Sequence, residues 1–299
     1  MSHFPLVSIC IPTYNGATFI AEALESAVYQ TYSTLEIIIS DDASNDDTLE
    51  IVKGFRDKTN IPIYIHHHIP KGIGANWNHC IDNAHGAYIK LLFQDDVLMP
   101  TCIEENIRAI KNDNSIGLIA SKRDFIIDKD YESNEISSWI RKYGDLQHDF
   151  PFKKHKTGLE LNRSHFKNEY LFKDPRNKIG EPPTVLFRKS MWAEVGKFNE
   201  DLKQILDYEF YYRILKKNKI VVLNKKLVKF RLHQQQATNI NSKSGVDDFR
   251  KYEELIFKNF FWYLNWKHKL KLLRKYNKLV SLPFKLFNKF FNNSDSWKK

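Results

Sequence analysis

Residues 7–42 read VSICIPTYNGATFIAEALESAVYQTYSTLEIIISDD, and this stretch decides the fold. Val7, Ile9 and Ile11 belong to a short apolar run punctuated by Pro12, the pattern of a buried strand that ends in a turn. Phe19, Ile20, Ala23, Leu24, Ala27 and Val28 then recur at helical spacing. A second strand at Ile37-Ile38-Ile39 stops at Ser40-Asp41-Asp42. Outward from there the alternation continues: a helix over about 46–57, a strand near Ile61–His66, a helix over about 75–85, a strand at Tyr88–Phe93, a helix over about 101–111 and a strand at Ile116–Ala120. This order predicts an α/β fold with a mostly parallel central sheet and helices on both faces. Residues 122–180 are polar and without clear period, which reads as an insertion or lid. Regularity returns with a strand at Thr184–Arg188, helices near Ser190–Val195 and through Tyr208–Lys216, and two strands at Ile220–Leu223 and Leu227–Leu232.

The chain of 299 residues, 42% hydrophobic and 14% aromatic, is able to bury a sizeable core, which excludes a disordered or collagenous protein. Its three cysteines, Cys10, Cys80 and Cys102, are an odd number in apolar or helical stretches, so no disulfide framework is expected and a reducing, cytoplasmic setting is. No run approaches the roughly 18 apolar residues of a membrane span, and the N-terminus lacks a secretory pattern. The formal net charge of +10 is unevenly spread: residues 251–299 carry 12 Lys and Arg against 3 Asp and Glu, whereas the first 250 residues hold 34 against 33. That basic tail is also aromatic, with Phe260, Phe261, Trp262, Tyr263 and Trp266 followed by Phe284, Phe287, Phe290 and Phe291. Basic plus aromatic residues point to an anionic membrane surface rather than to nucleic acid, with Pro283 dividing the tail into two short amphipathic pieces. The apolar residues Leu279, Val280 and Leu282 belong to this pattern, whose alternative is packing on the rest of the chain or a dimer contact.

In open parallel sheets ligands bind outside the carboxyl ends of the strands, and here those ends are acidic. The first strand ends in Pro12-Thr13-Tyr14-Asn15, the second in Asp41-Asp42, and the strand over 88–93 in Gln94-Asp95-Asp96. Paired carboxylates supply hard oxygen ligands for Mn²⁺ or Mg²⁺, an ion able to bridge a substrate diphosphate; a lone pair is more often a solvated turn or helix cap, but two pairs at equivalent strand ends shift that balance. No P-loop and no dinucleotide fingerprint occurs, so a bound nucleotide needs acids and a metal. Gly72-Ile73-Gly74 reads as a turn before a helix. The three side chains of His66-His67-His68 alternate faces in a strand and do not converge on one ion. Glu181, before Pro182-Pro183, either binds an acceptor hydroxyl or caps a turn. Arg188 and Arg213 are either phosphate contacts or structural partners of acids.

The opening VSICIPTYNGATFIAEALESAVYQTYSTLEIIISDDASNDDT resembles that of the family 2 glycosyltransferases, AHGAYIKLLFQDDVLMP resembles their metal-binding segment, and FRKSMWAEVGKFNEDLKQILDYEFYYRIL is similar to their acceptor-side segment. The resemblance covers about residues 5–240 and implies the GT-A type fold. It implies a catalytic domain over 1–250, with a nucleotide-binding half over 1–121 and an acceptor-side half over 122–250, before the 251–299 tail. Pro12, Tyr14 and Asp42 match positions that line the nucleotide, with Gln94 and Asp96 beside it. Asp95 matches the metal-binding aspartate, His233 a residue near the diphosphate and metal, and Asp207 the catalytic base. Three departures stand out. Phe93 replaces the first acid of the usual D-x-D-D, leaving Gln94 in its neighbourhood; Leu206 precedes Asp207 where the family often has Glu; and Trp77 stands where an Arg is common, before Asn78.

The reading is a metal-assisted, inverting transfer of a hexosyl or N-acetylhexosaminyl group from a nucleotide sugar, expected to be a uridine diphosphate sugar. The expected acceptor is a lipid-linked saccharide at the inner face of the cell membrane, in polysaccharide or glycolipid biosynthesis. A cation on Asp95 neutralises the departing diphosphate, and Asp207 takes the proton of the acceptor hydroxyl. A sugar nucleotidyltransferase fits the same sheet and acids but predicts pyrophosphate release. A membrane- or nucleic-acid-binding adaptor would leave the acids solvated and idle.

Overall fold

The computed structural model describes residues 4–148, 150–236, 239–241 and 248–282. Its first half follows the alternation: β1 (Val7–Thr13), α1 (Ile20–Val28), β2 (Leu35–Asp41), α2 (Thr48–Arg56), β3 (Ile63–His67), α3 (Ile73–Asp82), β4 (Tyr88–Leu91), a two-residue β5 (Val97–Leu98), α4 (Cys102–Ile110) and β6 (Ile116–Ile127). There follow α5 (Asn134–Tyr143), β7 (Lys153–His155), β8 (Gly158–Leu161), β9 (Val185–Arg188), α6 (Lys189–Val195), α7 (Leu206–Leu215) and β10 (Lys219–Leu232). Two further helices, α8 (Asp248–Phe260) and α9 (Trp266–Tyr276), complete the described chain.

The sheet runs β3-β2-β1-β4-β9-β6-β10-β8-β7, with β5 on β10. β3, β2, β1 and β4 are mutually parallel, β6 and β10 are parallel to each other, and β9 lies antiparallel between β4 and β6. Alternate residues of β1 and β2 explain the two covered faces. Ile9, Ile11, Ile37 and Ile39 pack with Ala23, Leu24 and Ala27 of α1, Val52 of α2 and Ile103 and Ile107 of α4. On the opposite face the Cys80 thiol of α3 donates to the Ile38 carbonyl, and Phe187 of β9 meets Phe210 of α7 edge-on at 5.3 Å.

Three sequence expectations change. The stretch 122–180 is not one irregular lid: β6 continues to Ile127, α5 follows, and the sheet is extended by β8 antiparallel on β10 and β7 antiparallel on β8. The two strands expected at 220–223 and 227–232 are one strand, whose register against β6 shifts between Leu223 and Val228. Such a bulge bends and twists a strand without ending it. β9 was expected as a strand, but its antiparallel insertion was not.

The chain divides into two compact units, Met1–Arg163 with Pro175–Val246, and Ser164–Asp174 with Asp247–Lys299. The second contains α8, α9 and the short segment 164–174. Phe166 stacks on Phe260 at 5.4 Å, Phe172 meets His268 edge-on at 5.1 Å, and the Asn265 side chain caps α9 by accepting from the His268 backbone N–H. Trp262 and Trp266 stay exposed, at 83% and 69%. Phe284, Phe287, Phe290, Phe291 and the break at Pro283 lie outside the described residues. No helix among the described residues is long and apolar enough to cross a membrane.

Candidate active site

A cavity of about 490 Å³ opens at the carboxyl ends of β2, β1 and β4. Pro12, Tyr14, Asp42, Gln94, Asp95 and His233 all line it, so six of the residues singled out in the sequence share one concavity. The two acid pairs are split in the same way. Asp42 and Asp95 face the cavity, whereas Asp41 and Asp96 are buried at 1% exposure and hold the scaffold. Asp41 accepts from the Thr13 hydroxyl at 3.0 Å and from the Ser44 amide and hydroxyl at 3.0 and 2.6 Å, fastening the turn after β2 to β1. Asp96 accepts from the Arg231 backbone N–H at 2.9 Å, and burial together with the Asp95 charge pushes its carboxyl well above the usual range. Asp96, expected beside the nucleotide, is not among the residues lining the cavity and ties β10 to the turn after β4.

Gln94 lines the cavity, but its amide is spent on the backbone of Tyr14, accepting from that N–H at 2.9 Å and donating to that carbonyl at 3.0 Å. The close approach needs Gly16, because a Cβ there would lie 2.3 Å from the Gln94 Oε1. Tyr14 is left 56% exposed on the cavity, a ring free to stack on a planar ligand. Asp42 sits one strand away from β1 on the other flank from β4, and its Oδ1 lies 2.7 Å from the Nδ1 of His68.

At the β4 side, the Asp95 carboxylate lies 3.0 Å from the Nε2 of His233, which follows β10 directly. The Asp95 carboxylate, a hard oxygen donor, and the His233 imidazole beside it would be able to hold a divalent cation such as Mn²⁺. Among the described residues no group of three His, Cys, Asp or Glu is gathered that could hold a metal ion. Arg231 stands behind, donating to the Asp95 carbonyl at 2.9 Å and pairing with Glu22 and Asp128.

Asp207 occupies the first turn of α7 at 7% exposure. Burial pushes its carboxyl up to about 7, and the Glu181 charge adds to this. Its Oδ2 accepts from the Asn177 side chain at 3.0 Å. Glu181 is held by Arg123 at 2.9 Å. Asp207 Oδ1, Glu181 Oε2 and Asp96 Oδ2 are all buried without a hydrogen-bond partner among the described residues. Buried acceptors left open are costly, and here three interacting carboxylates each keep one. Neither Asp207 nor Glu181 is among the residues lining the cavity.

Other sequence candidates prove structural. Arg188 donates to the Ile110, Asp113 and Ile116 carbonyls and the Tyr88 hydroxyl, and Arg213 to Glu209 and the Gly196 and Lys197 carbonyls. Asn78 clasps the Phe198 backbone with both ends of its amide. Trp77 and Phe93, two of the departures, pack with tilted rings 4.8 Å apart on the cavity wall. Sequence reasoning missed His68, Asn76, Arg123 and Asn177. His68 was hidden in a run of three histidines, and Asn177 and Arg123 lay in the aperiodic stretch. Asn76, on the cavity-facing side of α3, had no signal beyond its neighbour Trp77.

Comparison with known proteins agrees with this geometry. Residues 8–196 match the model of glycosyl transferase family 2. A glycosyltransferase of Rickettsia typhi is 30% identical over 255 residues, covering 85% of this chain and 71% of that one. Among solved structures, S. aureus TarS in complex with UDP-GlcNAc superposes with a TM-score of 0.63 at 20% identity, covering 91% of this chain and 71% of that one. A Pyrobaculum calidifontis mannosyltransferase in complex with GDP-Man and Mn²⁺ gives 0.57 at 14% identity, over 99% and 82%.

Proposed function

This chain belongs to glycosyl transferase family 2 and is a glycosyltransferase with a GT-A type fold, and from that premise we propose that it transfers a hexosyl or N-acetylhexosaminyl group from a uridine diphosphate sugar to a saccharide hydroxyl with inversion. The observation that carries the reading is the distribution of side chains along one cavity. Tyr14 and Asp42 lie towards β2, suited to a planar base with a donor N–H, and Asp95 with His233 lies at the β4 and β10 ends, suited to a metal-bridged diphosphate. Strands are spaced about 4.8 Å apart, so the β2 and β4 ends stand roughly 10 Å from each other, the reach of a nucleoside.

The chemistry follows from these residues. A bound Mn²⁺ or Mg²⁺ would supply positive charge to the departing diphosphate. Asp95 and His233 hold and orient that end of the donor. Asp207 accepts the proton of the acceptor hydroxyl as its oxygen bonds to the anomeric carbon and the bond to the phosphate oxygen breaks, one displacement that inverts the centre. Glu181, held by Arg123, orients the acceptor. A carboxyl pushed to about 7 is matched to this task, since it is a stronger base than an ordinary carboxylate and about half of it is ionised at neutral pH. The acceptor we favour is a lipid-linked saccharide, because the exposed tryptophans and lysines of the 251–282 segment suit an anionic membrane surface.

The test is a screen of UDP- and GDP-sugars with Mn²⁺ or Mg²⁺, read as released nucleoside diphosphate with and without saccharide acceptors. Release from a UDP-sugar that vanishes with chelator is the expected result. Pyrophosphate release from a nucleoside triphosphate and a sugar phosphate would instead favour a nucleotidyltransferase.

A further inference from the structure

We propose that Asn177 is a positioning residue for the transfer, joining the base Asp207 to the turn that carries Glu181 and favouring the ionised base through a hydrogen bond to its carboxylate. The inference rests on the role proposed above for Asp207 and adds the residue through which that role is set. The Asn177 amide works at both ends. Its Oδ1 accepts from the Ile179 and Gly180 backbone N–H groups at 3.0 and 2.9 Å. Its Nδ2 donates to the Gly180 carbonyl at 2.8 Å and to the Asp207 Oδ2 at 3.0 Å. These four partners fix which way the amide points, because a reversed amide would set its NH₂ against two N–H donors and its oxygen against two oxygens.

The segment around Asn177 is itself held from several elements. The Tyr212 hydroxyl of α7 donates to the Arg176 carbonyl at 2.9 Å, and the buried Gln147 side chain donates to the Lys178 and Ile179 carbonyls at 3.0 and 3.3 Å. Gly180 has φ +148°, and a Cβ there would lie 2.2 Å from the Thr184 Oγ1, whose hydroxyl donates to the Glu181 carbonyl at 2.7 Å. Beyond Glu181 the buried Lys90 ammonium of β4 donates to the Pro183 carbonyl. Through Asn177 this pinned turn reaches the Asp207 side chain on α7, so one amide links the two acids of the acceptor side.

The consequence for the base follows from the form that the contact favours. An N–H donated to a carboxylate stabilises the charged form, whereas burial and a neighbouring negative charge oppose it. Asp207 is faced by Glu181 on the turn before β9 and by the Tyr211 hydroxyl one turn further along α7, which burial and both acids push up. Arg123 of β6 and Asp96 after β4 act on Glu181. The Asp207 and Tyr208 backbone N–H groups at the start of α7 work in the same sense as Asn177. Without the Asn177 donor the burial and the Glu181 charge are opposed less, and Asp207 stays protonated to higher pH. Asn177 is not among the residues lining the nucleotide cavity, so the donor end is left as it was.

The experiment titrates the Asp207 carboxyl directly, by NMR on the full chain carrying ¹³C at its aspartate carboxyls, the Asp207 resonance being the one missing from Asp207→Asn. The pH dependence of UDP release from UDP-GlcNAc with Mn²⁺ is followed alongside, in the unmodified protein, Asn177→Ser, Asn177→Ala and Asp207→Asn. Serine keeps an oxygen that accepts from the N–H two residues on, so the turn survives, but it is too short to reach Asp207; alanine loses both contacts. Both Asn177 variants should raise the Asp207 midpoint, and the acid limb of UDP release with it, by about one pH unit, with the donor KM unchanged within about twofold. A midpoint that stays in place in either folded variant overturns the role and leaves Asn177 as a holder of the turn; each variant decides alone if the other does not fold. Asp207→Asn that releases UDP with the rate and acid limb of the unmodified protein overturns the base itself, and the inference with it. Asp207→Asn that loses the limb, beside an unmoved midpoint in Asn177→Ser, removes the inference and leaves glycosyl transfer standing.

Discussion

The burial that pushes Asp207 up to about 7 sets both the pH range of its chemistry and its cost to the fold. As a base it works ionised, so transfer should fall about tenfold per unit as pH drops below about 7, and Asp207→Asn should lose about 10²-fold or more in kcat with donor binding near normal. A pH–rate profile of the variant that still follows the original acid limb would assign that limb to another group. The stability effect has the opposite sense. A carboxyl raised in the folded state favours folding fully only below its unfolded value near 3.8, and that contribution is lost as pH rises through about 7. Asp207→Asn should therefore melt higher than the unmodified protein at pH 8, by an amount of order 4 kcal/mol at most, and the gap should close towards pH 4. Equal melting curves at pH 8 would mean that the carboxylate is solvated. At the other end of the cavity, Asp95→Ala should abolish the metal-dependent part of UDP binding while leaving uridine binding nearly intact; equal weakening of both ligands would make Asp95 structural.

Elements deliver these residues through loops whose conformation is not the easiest for their sequence. Ala43, just after β2, has φ +61°, and Asn15, after β1, has φ +46°. An alanine held in the left-handed region costs about 1–2 kcal/mol, which offsets the usual advantage of alanine over glycine. Ala43→Gly should thus be neutral or stabilising by about 1 kcal/mol in denaturant melts, and a clear loss of stability would show that its methyl group matters more than its backbone. The regular elements of the nucleotide half were legible because each has one strongly periodic buried face, as in Ile9, Ile11, Ile37 and Ile39. Those within 122–180 were less so. α5 carries a short apolar stripe, Ile136, Trp139, Ile140 and Tyr143 at helical spacing, and Ser133 capping the Ile136 N–H adds a start signal, so this helix was there to read; the stripe belongs to a single helix of ten residues, set among polar neighbours, and none of it is buried. β7 is three residues long, Lys153–His155, and none of them is buried. The split of each aspartate pair into one ligand-facing and one scaffold residue was illegible for a different reason: adjacent identical side chains differ only by which face of the strand end they leave.

In the molecule as a whole, charge and apolar exposure concentrate on the second unit. Trp262, Trp266, Leu279 and Leu282 are exposed, and Lys267 and Lys269 lie over the Trp266 and Trp262 rings. Lys271 and Lys275 are engaged by Glu253, so they are the less available cations. Replacing Lys267 and Lys269 by Glu in the full chain should weaken co-sedimentation with anionic vesicles by about 1 kcal/mol per lysine removed, with no effect on neutral vesicles. Binding that ignores both the substitutions and the lipid charge would remove the membrane from the account of the acceptor.

The antiparallel strand β9 gives the molecule a history as well as a shape. β4 pairs with it through Tyr88 and Arg188, one hundred residues apart, and β6 pairs with the same strand on its other side. During synthesis β3, β2, β1 and β4 can join by short crossovers, but the open edge of β4 has to wait until residue 188 has emerged. Refolding should accordingly show an early phase that forms the nucleotide half and a slower phase limited by this distant closure. Leu186→Ala, in the middle of β9, should slow the second phase and leave the first unchanged, and the interval between them is when an unpaired β4 edge is exposed to aggregation.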